Sequence, residues 1–194
     1  MGLKKDTNYI VSGVERSGTS MIMQILHAGG VPVAFDSSSR PADENNPKGY
    51  FELEGGKVIN KLMDGTLPLE MYLGKFIKIT SFGMRFLPKG KYKVIYTQRS
   101  IDEVLASMER MTKKKDENRA ETRESFLKLD IIVKDALTKR DDIEVLFVNY
   151  NQIIKNPKEN IEKISHFIKE EKADLDNMLK SVDQSLYRNR EIND

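Results

Sequence analysis

The stretch Gly13-Val14-Glu15-Arg16-Ser17-Gly18-Thr19-Ser20 decides the predicted fold of this chain. A short apolar run typical of a strand, residues 9–11, precedes it, and an apolar run typical of a helix, residues 21–26, follows it. A glycine-bearing turn from a strand into a helix presents backbone N–H groups and the positive end of the helix dipole to one point. The stretch therefore predicts a binding site for a phosphate-like anion.

This loop differs at one decisive position from the triphosphate-binding pattern GxxxxGK[ST]. Thr19 replaces the lysine that contacts the outer phosphates of ATP or GTP, and Arg16 is the cation inside the loop. We therefore expect an anion other than an ordinary triphosphate, held by Arg16, Ser17, Gly18, Thr19 and Ser20. The alternative is a glycine turn that only joins strand to helix.

Composition narrows the class of protein. The chain has 194 residues, of which 39% are hydrophobic and 32% charged, which predicts one folded domain over residues 1–194. A net charge of +2 does not indicate a nucleic-acid partner. The absence of cysteine excludes disulfides and thiolate ligands, and neither histidine has a partner at metal-ligand spacing, so no metal is predicted. No apolar run approaches the ~20 residues of a membrane span, and the first residues lack the apolar core of a secretory signal. We therefore expect a cytoplasmic protein without a membrane partner.

Strand-like and helix-like segments alternate along the chain. This alternation predicts a mainly parallel sheet with helices on both faces, a three-layer α/β/α fold. In such sheets ligands bind beyond the carboxyl ends of the strands. Strands are predicted at residues 9–12, 76–80, 93–97 and 144–148 with an edge strand at 31–33, and helices at 17–28, 55–65, 102–113, 118–139 and 157–168, with a further helix ending near residue 180.

A second candidate anion site follows the strand predicted at residues 93–97. Arg99 ends that strand, and Ser107 lies two turns into the next helix. A guanidinium fork and a hydroxyl can hold a second phosphate. The alternative is that Arg99 pairs with Asp102 or Glu103 while Ser107 only faces the core.

These residues together resemble the sulfotransferase family. Residues 13–20 resemble the loop that binds the 5′-phosphosulfate in that family, and Arg99 with Ser107 resembles its 3′-phosphate site. Two further segments resemble bacterial members, residues 46–52 (Asn-Pro-Lys-Gly-Tyr-Phe-Glu) and residues 148–157. The resemblance implies a P-loop-like α/β fold, comparable to that of P-loop NTPases. It also implies 3′-phosphoadenosine 5′-phosphosulfate as sulfuryl donor, and in-line transfer to a hydroxyl or amine without a metal.

The resemblance also implies roles for individual residues. Arg16 would hold the bridging and leaving oxygens of the donor, and Glu52 would take the proton of the acceptor. Glu54 is the alternative base, because the two carboxylates share a face if the segment is extended. Both can instead be solvated carboxylates near a helix start. Lys78 would be a further cation near the sulfate, although an exposed or snorkelling strand lysine is the simpler interpretation.

The chain departs from the resemblance near its C-terminus. Larger cytosolic members have a basic, glycine-containing segment that closes over the 3′-phosphate, and here only Arg188 and its neighbours at residues 187–190 could replace it. Two other functions stay open: a small-molecule kinase or other P-loop nucleotide enzyme, and a protein that binds the nucleotide without transfer. The acceptor, a small molecule or a saccharide, and the oligomeric state are not indicated by the sequence.

Overall fold

The sheet has four parallel strands. A computed structural model describes residues 2–36, 41–169, 173–183 and 185 of the chain. The strand order is β2, β1, β3, β4, and every neighbouring pair is parallel. The two inner strands, β1 and β3, are almost continuously buried because helices cover both of their faces. The strands are β1 (Asn8–Gly13), β2 (Phe76–Lys78), β3 (Tyr92–Gln98) and β4 (Ile143–Asn149).

Seven α-helices flank the sheet in the described part of the chain. Alternate strand residues point to opposite faces, so Val11 and Ile95 enter one core cluster and Ile10 and Val94 enter the other. Helices α1, α5, α6 and α7 contribute to the first cluster, and α2 and α4 to the second. The helices are α1 (Thr19–Ala28), α2 (Val58–Met63), α3 (Ile101–Thr112), α4 (Arg119–Lys139), α5 (Tyr150–Lys155), α6 (Pro157–Ile168) and α7 (Leu175–Ser181).

The strand order places a crevice beside the predicted anion loop. From β1 the chain moves outward to β2, whereas from β3 it moves in the opposite direction to β4. The carboxyl ends of β1 and β3 therefore form the topological switch point at which open α/β sheets bind ligands. The loop after β1 and Arg99 after β3 meet at this point.

The four main strands and the long helices are confirmed, and the differences have local causes. The predicted edge strand at 31–33 is reduced to one parallel bridge between Val33 and Phe76. The helix predicted over 55–65 is broken, because Gly55 has a φ of 61°, and a 3₁₀ turn at Glu54–Gly56 precedes α2. The short helix α5 was not predicted. In the described ranges, no helix combines the length and the apolar character needed to cross a bilayer.

Candidate active site

The loop between β1 and α1 needs glycine at both of its glycine positions. Gly13 has a φ of 149°, and a Cβ atom there would overlap Oγ1 of Thr97. Gly18 has a φ of 109°, and a Cβ atom there would lie 2.5 Å from Cδ2 of Tyr150. The positive φ of Gly18 also explains why α1 begins at Thr19 rather than at residue 17. The two glycines thus let the turn pack closely against β3 and α5.

The Ser17 side chain is buried behind the loop and does not line the pocket. Ser17 is fully buried, and its Oγ lies 2.6 Å from Oγ1 of Thr97 in a hydrogen bond. Its backbone N–H donates to the carbonyl of Val14. The expectation that this side chain offers its hydroxyl to an anion is therefore corrected. Gly18, Thr19 and the rest of the loop tip do line the pocket.

A pocket of about 240 Å³ opens at the carboxyl ends of the strands. It brings together Arg16, Gly18, Thr19, Ser20, Glu52, Lys78, Arg99 and Ser107 from the sequence analysis. Helix α1 begins at this pocket, where its first N–H groups have no intrahelical acceptor and no side-chain cap accepts from them. Among the residues that the structure describes, its wall has five cations (Arg16, Lys48, Lys78, Arg99 and Arg110) and three carboxylates (Glu15, Glu52 and Asp183). The excess of positive charge suits an anionic ligand.

Arg16 joins the loop to α3. Its backbone is left-handed, with a φ of 65°, and its Nε donates to Oγ of Ser107 over 3.1 Å. Its carbonyl oxygen accepts a hydrogen bond of 3.3 Å from Nη1 of Arg99. The two predicted anion sites are therefore in direct contact, through hydrogen bonds that span 83 and 91 positions of sequence.

Arg99 is held by a buried ion pair. Its Nε lies 2.7 Å from Oε2 of Glu103, and the side chains are only 6% and 2% exposed. The other carboxylate oxygen accepts from Nδ2 of Asn151 over 3.0 Å. The guanidinium also stacks over the ring of Tyr150, 4.3 Å from its centroid. Pairing of Arg99 with Glu103, the alternative from the sequence, is therefore present, although Arg99 also lines the pocket.

Lys78 is the last residue of β2 and points into the same pocket. The residue is only 8% exposed, so the interpretation as an exposed strand lysine is wrong. Its Nζ donates to the carbonyl of Tyr50 and, over 3.4 Å, to Oγ of Ser20. The same nitrogen lies 3.6 Å from Oε1 of Glu52. The buried Lys78 ammonium and the Glu52 carboxylate therefore lie next to each other at the start of α1.

Glu54 lies outside this group. Its carboxylate accepts hydrogen bonds from Lys61 and, over 2.6 Å, from the hydroxyl of Tyr72. The hydrogen bond from Lys61, followed by that from Tyr72, lowers the pKa of Glu54. Burial, with the hydrogen bond to Glu54, raises the pKa of Tyr72 to about 12. Because Glu54 has a φ of 57°, the segment is not extended, so the condition under which Glu52 and Glu54 were expected to share a face is not met.

The sequence analysis gave no role to Tyr150 or to the end of α7. Tyr150 follows β4 directly, a position that could have signalled a pocket residue. At the C-terminal end of α7, Nζ of Lys48 donates to the carbonyl of Ser181 over 2.9 Å and lies 3.6 Å from Oδ2 of Asp183. The proposed substitute segment with Arg188 lies outside the described residues.

No group of three or more histidine, aspartate or glutamate side chains in the described ranges is arranged to hold a metal ion.

Comparison with known proteins identifies the family. The model of the sulfotransferase domain matches residues 6–194. No curated protein sequence matches the chain significantly. The sulfotransferase domain of the Synechococcus PCC 7002 olefin synthase is 17% identical with a TM-score of 0.57, over 91% of this chain and 77% of that one. The mouse sulfotransferase SULT7A1, in a complex with PAP, is 15% identical with a TM-score of 0.58, over 95% of this chain and 67% of that one.

At these identities the structural neighbours establish a shared fold, the central parallel sheet flanked by helices. The family match covers nearly the whole chain and includes the loop, the two arginines, Lys78 and Glu52. This protein therefore belongs to the sulfotransferase family of transferases.

Proposed function

We propose that this protein transfers a sulfuryl group from 3′-phosphoadenosine 5′-phosphosulfate to a hydroxyl or amine of a small-molecule or saccharide acceptor. The observation that carries the proposal is the contact between the two predicted anion sites, where Nε of Arg16 reaches Oγ of Ser107 over 3.1 Å. A ligand with anionic groups at both ends of an adenosine suits two such sites in one pocket. The PAP in the SULT7A1 complex supports a nucleotide of this class.

The residues of the pocket fit this donor. Gly18 lets the turn before α1 pack against Tyr150, because a Cβ atom there would clash with the ring. The first N–H groups of α1 suit a 5′-phosphosulfate. When bound, the donor supplies an activated sulfuryl group, and negative charge develops on the phosphate oxygen that it leaves. Arg16 and Lys78 are the cations placed to stabilise that charge, as in phosphoryl transfer.

Glu52 is the proposed proton acceptor. It lines the pocket and stands 3.6 Å from the Lys78 ammonium, beside Ser20 at the start of α1. Lys78 holds this carboxylate at the pocket wall, where it can take the proton from an acceptor hydroxyl or amine. Glu54 is unsuited to this role because Lys61 and Tyr72 occupy its carboxylate.

The donor assignment is tested by thermal unfolding with 3′-phosphoadenosine 5′-phosphate, ADP and ATP. At a hundredfold excess over its Kd, a ligand of the folded state adds about 2.7 kcal/mol of stability. For a chain of this size that corresponds to a rise in Tm of roughly 5–10 °C. We expect this rise with 3′-phosphoadenosine 5′-phosphate and much smaller rises with the other two at equal concentration. Equal rises with all three nucleotides would contradict the proposal.

The base is tested with a matched pair of variants. We expect Glu52→Gln to lower turnover by about 100-fold or more while keeping the nucleotide-induced rise in Tm, because general bases contribute on that order. Glu54→Gln is the control and is expected to keep turnover close to that of the wild type. Wild-type turnover in Glu52→Gln would eliminate Glu52 as the base.

A further inference from the structure

The side of the pocket next to Ser107 contains an arginine whose charge is already neutralised. Arg99 directs its Nε to Glu103 and its Nη1 to the carbonyl of Arg16. The Arg99–Glu103 pair is almost completely buried and carries no net charge. Glu103 offsets the charge of Arg99, so a cation without a carboxylate partner would attract a dianionic phosphate more strongly at this place than Arg99 alone.

Arg110 supplies such a charge on the same face of α3 as Ser107. The two residues are three positions apart, a spacing that places side chains next to each other on a helix, and both line the pocket. Unlike Arg99, Arg110 is exposed to solvent. Within the described part of the chain its side chain forms no ion pair. Its neighbour Met111 also lines the pocket and adds an apolar surface there.

We infer that Arg110 is a specificity-determining residue that recognises the 3′-phosphate of the nucleotide, an inference that rests on the proposed function. Its guanidinium can form a bidentate contact with a phosphate that the Ser107 hydroxyl also contacts. Among the described residues no carboxylate pairs with Arg110, so a phosphate bound there would not displace one of them. Arg99, in contrast, is already paired with Glu103.

The inference is tested by isothermal titration calorimetry with 3′-phosphoadenosine 5′-phosphate and with adenosine 5′-phosphate, which lacks the 3′-phosphate. A hydrogen-bonded contact to a charged group corresponds to a loss of about 10- to 100-fold in affinity when it is removed. We expect this loss for Arg110→Ala with the bisphosphate, and a change of less than about threefold with the monophosphate. Arg110→Lys is expected to lie between, because lysine keeps the charge but loses the fork.

Lys114→Ala is the matched control. Lys114 is an exposed cation just beyond the end of α3 and does not line the pocket, so its removal changes the net charge equally. The affinity of the Lys114→Ala variant for 3′-phosphoadenosine 5′-phosphate is expected to stay within about threefold of the wild type. Unfolding midpoints near that of the wild type establish that both variants are folded.

The outcomes separate the inference from the proposed function. If the wild type prefers the bisphosphate and Arg110→Ala keeps that preference, the inference is overturned and the proposed function stands. The inference also fails if Arg110→Ala weakens both nucleotides equally or if Lys114→Ala matches its effect. A wild type without any preference for the bisphosphate overturns both.

Discussion

Replacing Glu103 by alanine should destabilise this protein strongly, because it leaves a buried charge without a partner. Arg99 and Glu103 are 6% and 2% exposed, and the carboxylate lies 2.7 Å from Nε of Arg99. The same carboxylate accepts a hydrogen bond from Asn151. In Glu103→Ala the guanidinium keeps the Arg16 carbonyl and the Tyr150 ring but loses its counter-charge.

The expected magnitude follows from this burial. Removal of one partner of a buried ion pair costs about 3–5 kcal/mol. The adjacent Asp102 offers an internal comparison, because it pairs with Arg123 over 3.1 Å while the two side chains are 42% and 49% exposed. An exposed pair contributes under about 1 kcal/mol. Both carboxylates lie in the first turn of α3, so their favourable interaction with the helix dipole largely cancels in the comparison.

Urea denaturation of Glu103→Ala and Asp102→Ala measures the difference. We expect the free energy of unfolding to fall by at least about 2 kcal/mol more in Glu103→Ala, with similar m-values. The double variant Arg99→Met/Glu103→Leu should recover much of the loss, because it removes both charges together. If Glu103→Ala were no less stable than Asp102→Ala, the argument that Arg99 depends on Glu103 would be refuted.

Two further predictions concern the loop and the response to acid. Gly18→Ala should cost at least about 2 kcal/mol of unfolding free energy and abolish nucleotide-induced stabilisation, because its Cβ would lie 2.5 Å from the Tyr150 ring. Gly30→Ala, where φ is also positive but no atom lies within 4 Å, should cost less, and equal losses would refute the steric argument. The hydrogen bond from Arg140 lowers the pKa of Asp142, so this carboxylate stabilises the fold above its ordinary pKa of 3.8, and that contribution is lost as the pH falls further. Asp142→Asn should therefore show a shallower loss of stability on acidification than the wild type, measured by urea midpoints between pH 6 and pH 2, and parallel curves would contradict this.

The sequence by itself determined the fold and, within the candidate site, the loop between β1 and α1. Apolar strands alternating with amphipathic helices leave few arrangements other than a covered parallel sheet. Gly13 and Gly18 predict a strand-to-helix turn. The structure shows that a Cβ atom would clash with a neighbouring residue at both positions. The second anion site could be proposed because Arg99 ends a predicted strand and Ser107 lies two turns into the helix that follows.

Only the tertiary structure decided how the charged groups share their partners. Arg16 reaches Ser107 across 91 positions of sequence because strands β1 and β3 are neighbours. Of the two carboxylates considered as partners of Arg99, Asp102 and Glu103, the packed chain selects Glu103. Glu54 has a positive φ, and its carboxylate pairs with Lys61. The prediction assumed an extended segment and therefore did not include this pair. Local patterns fix which elements form, whereas the choice among several partners for one charge depends on distances of a few ångström that only the packed chain defines.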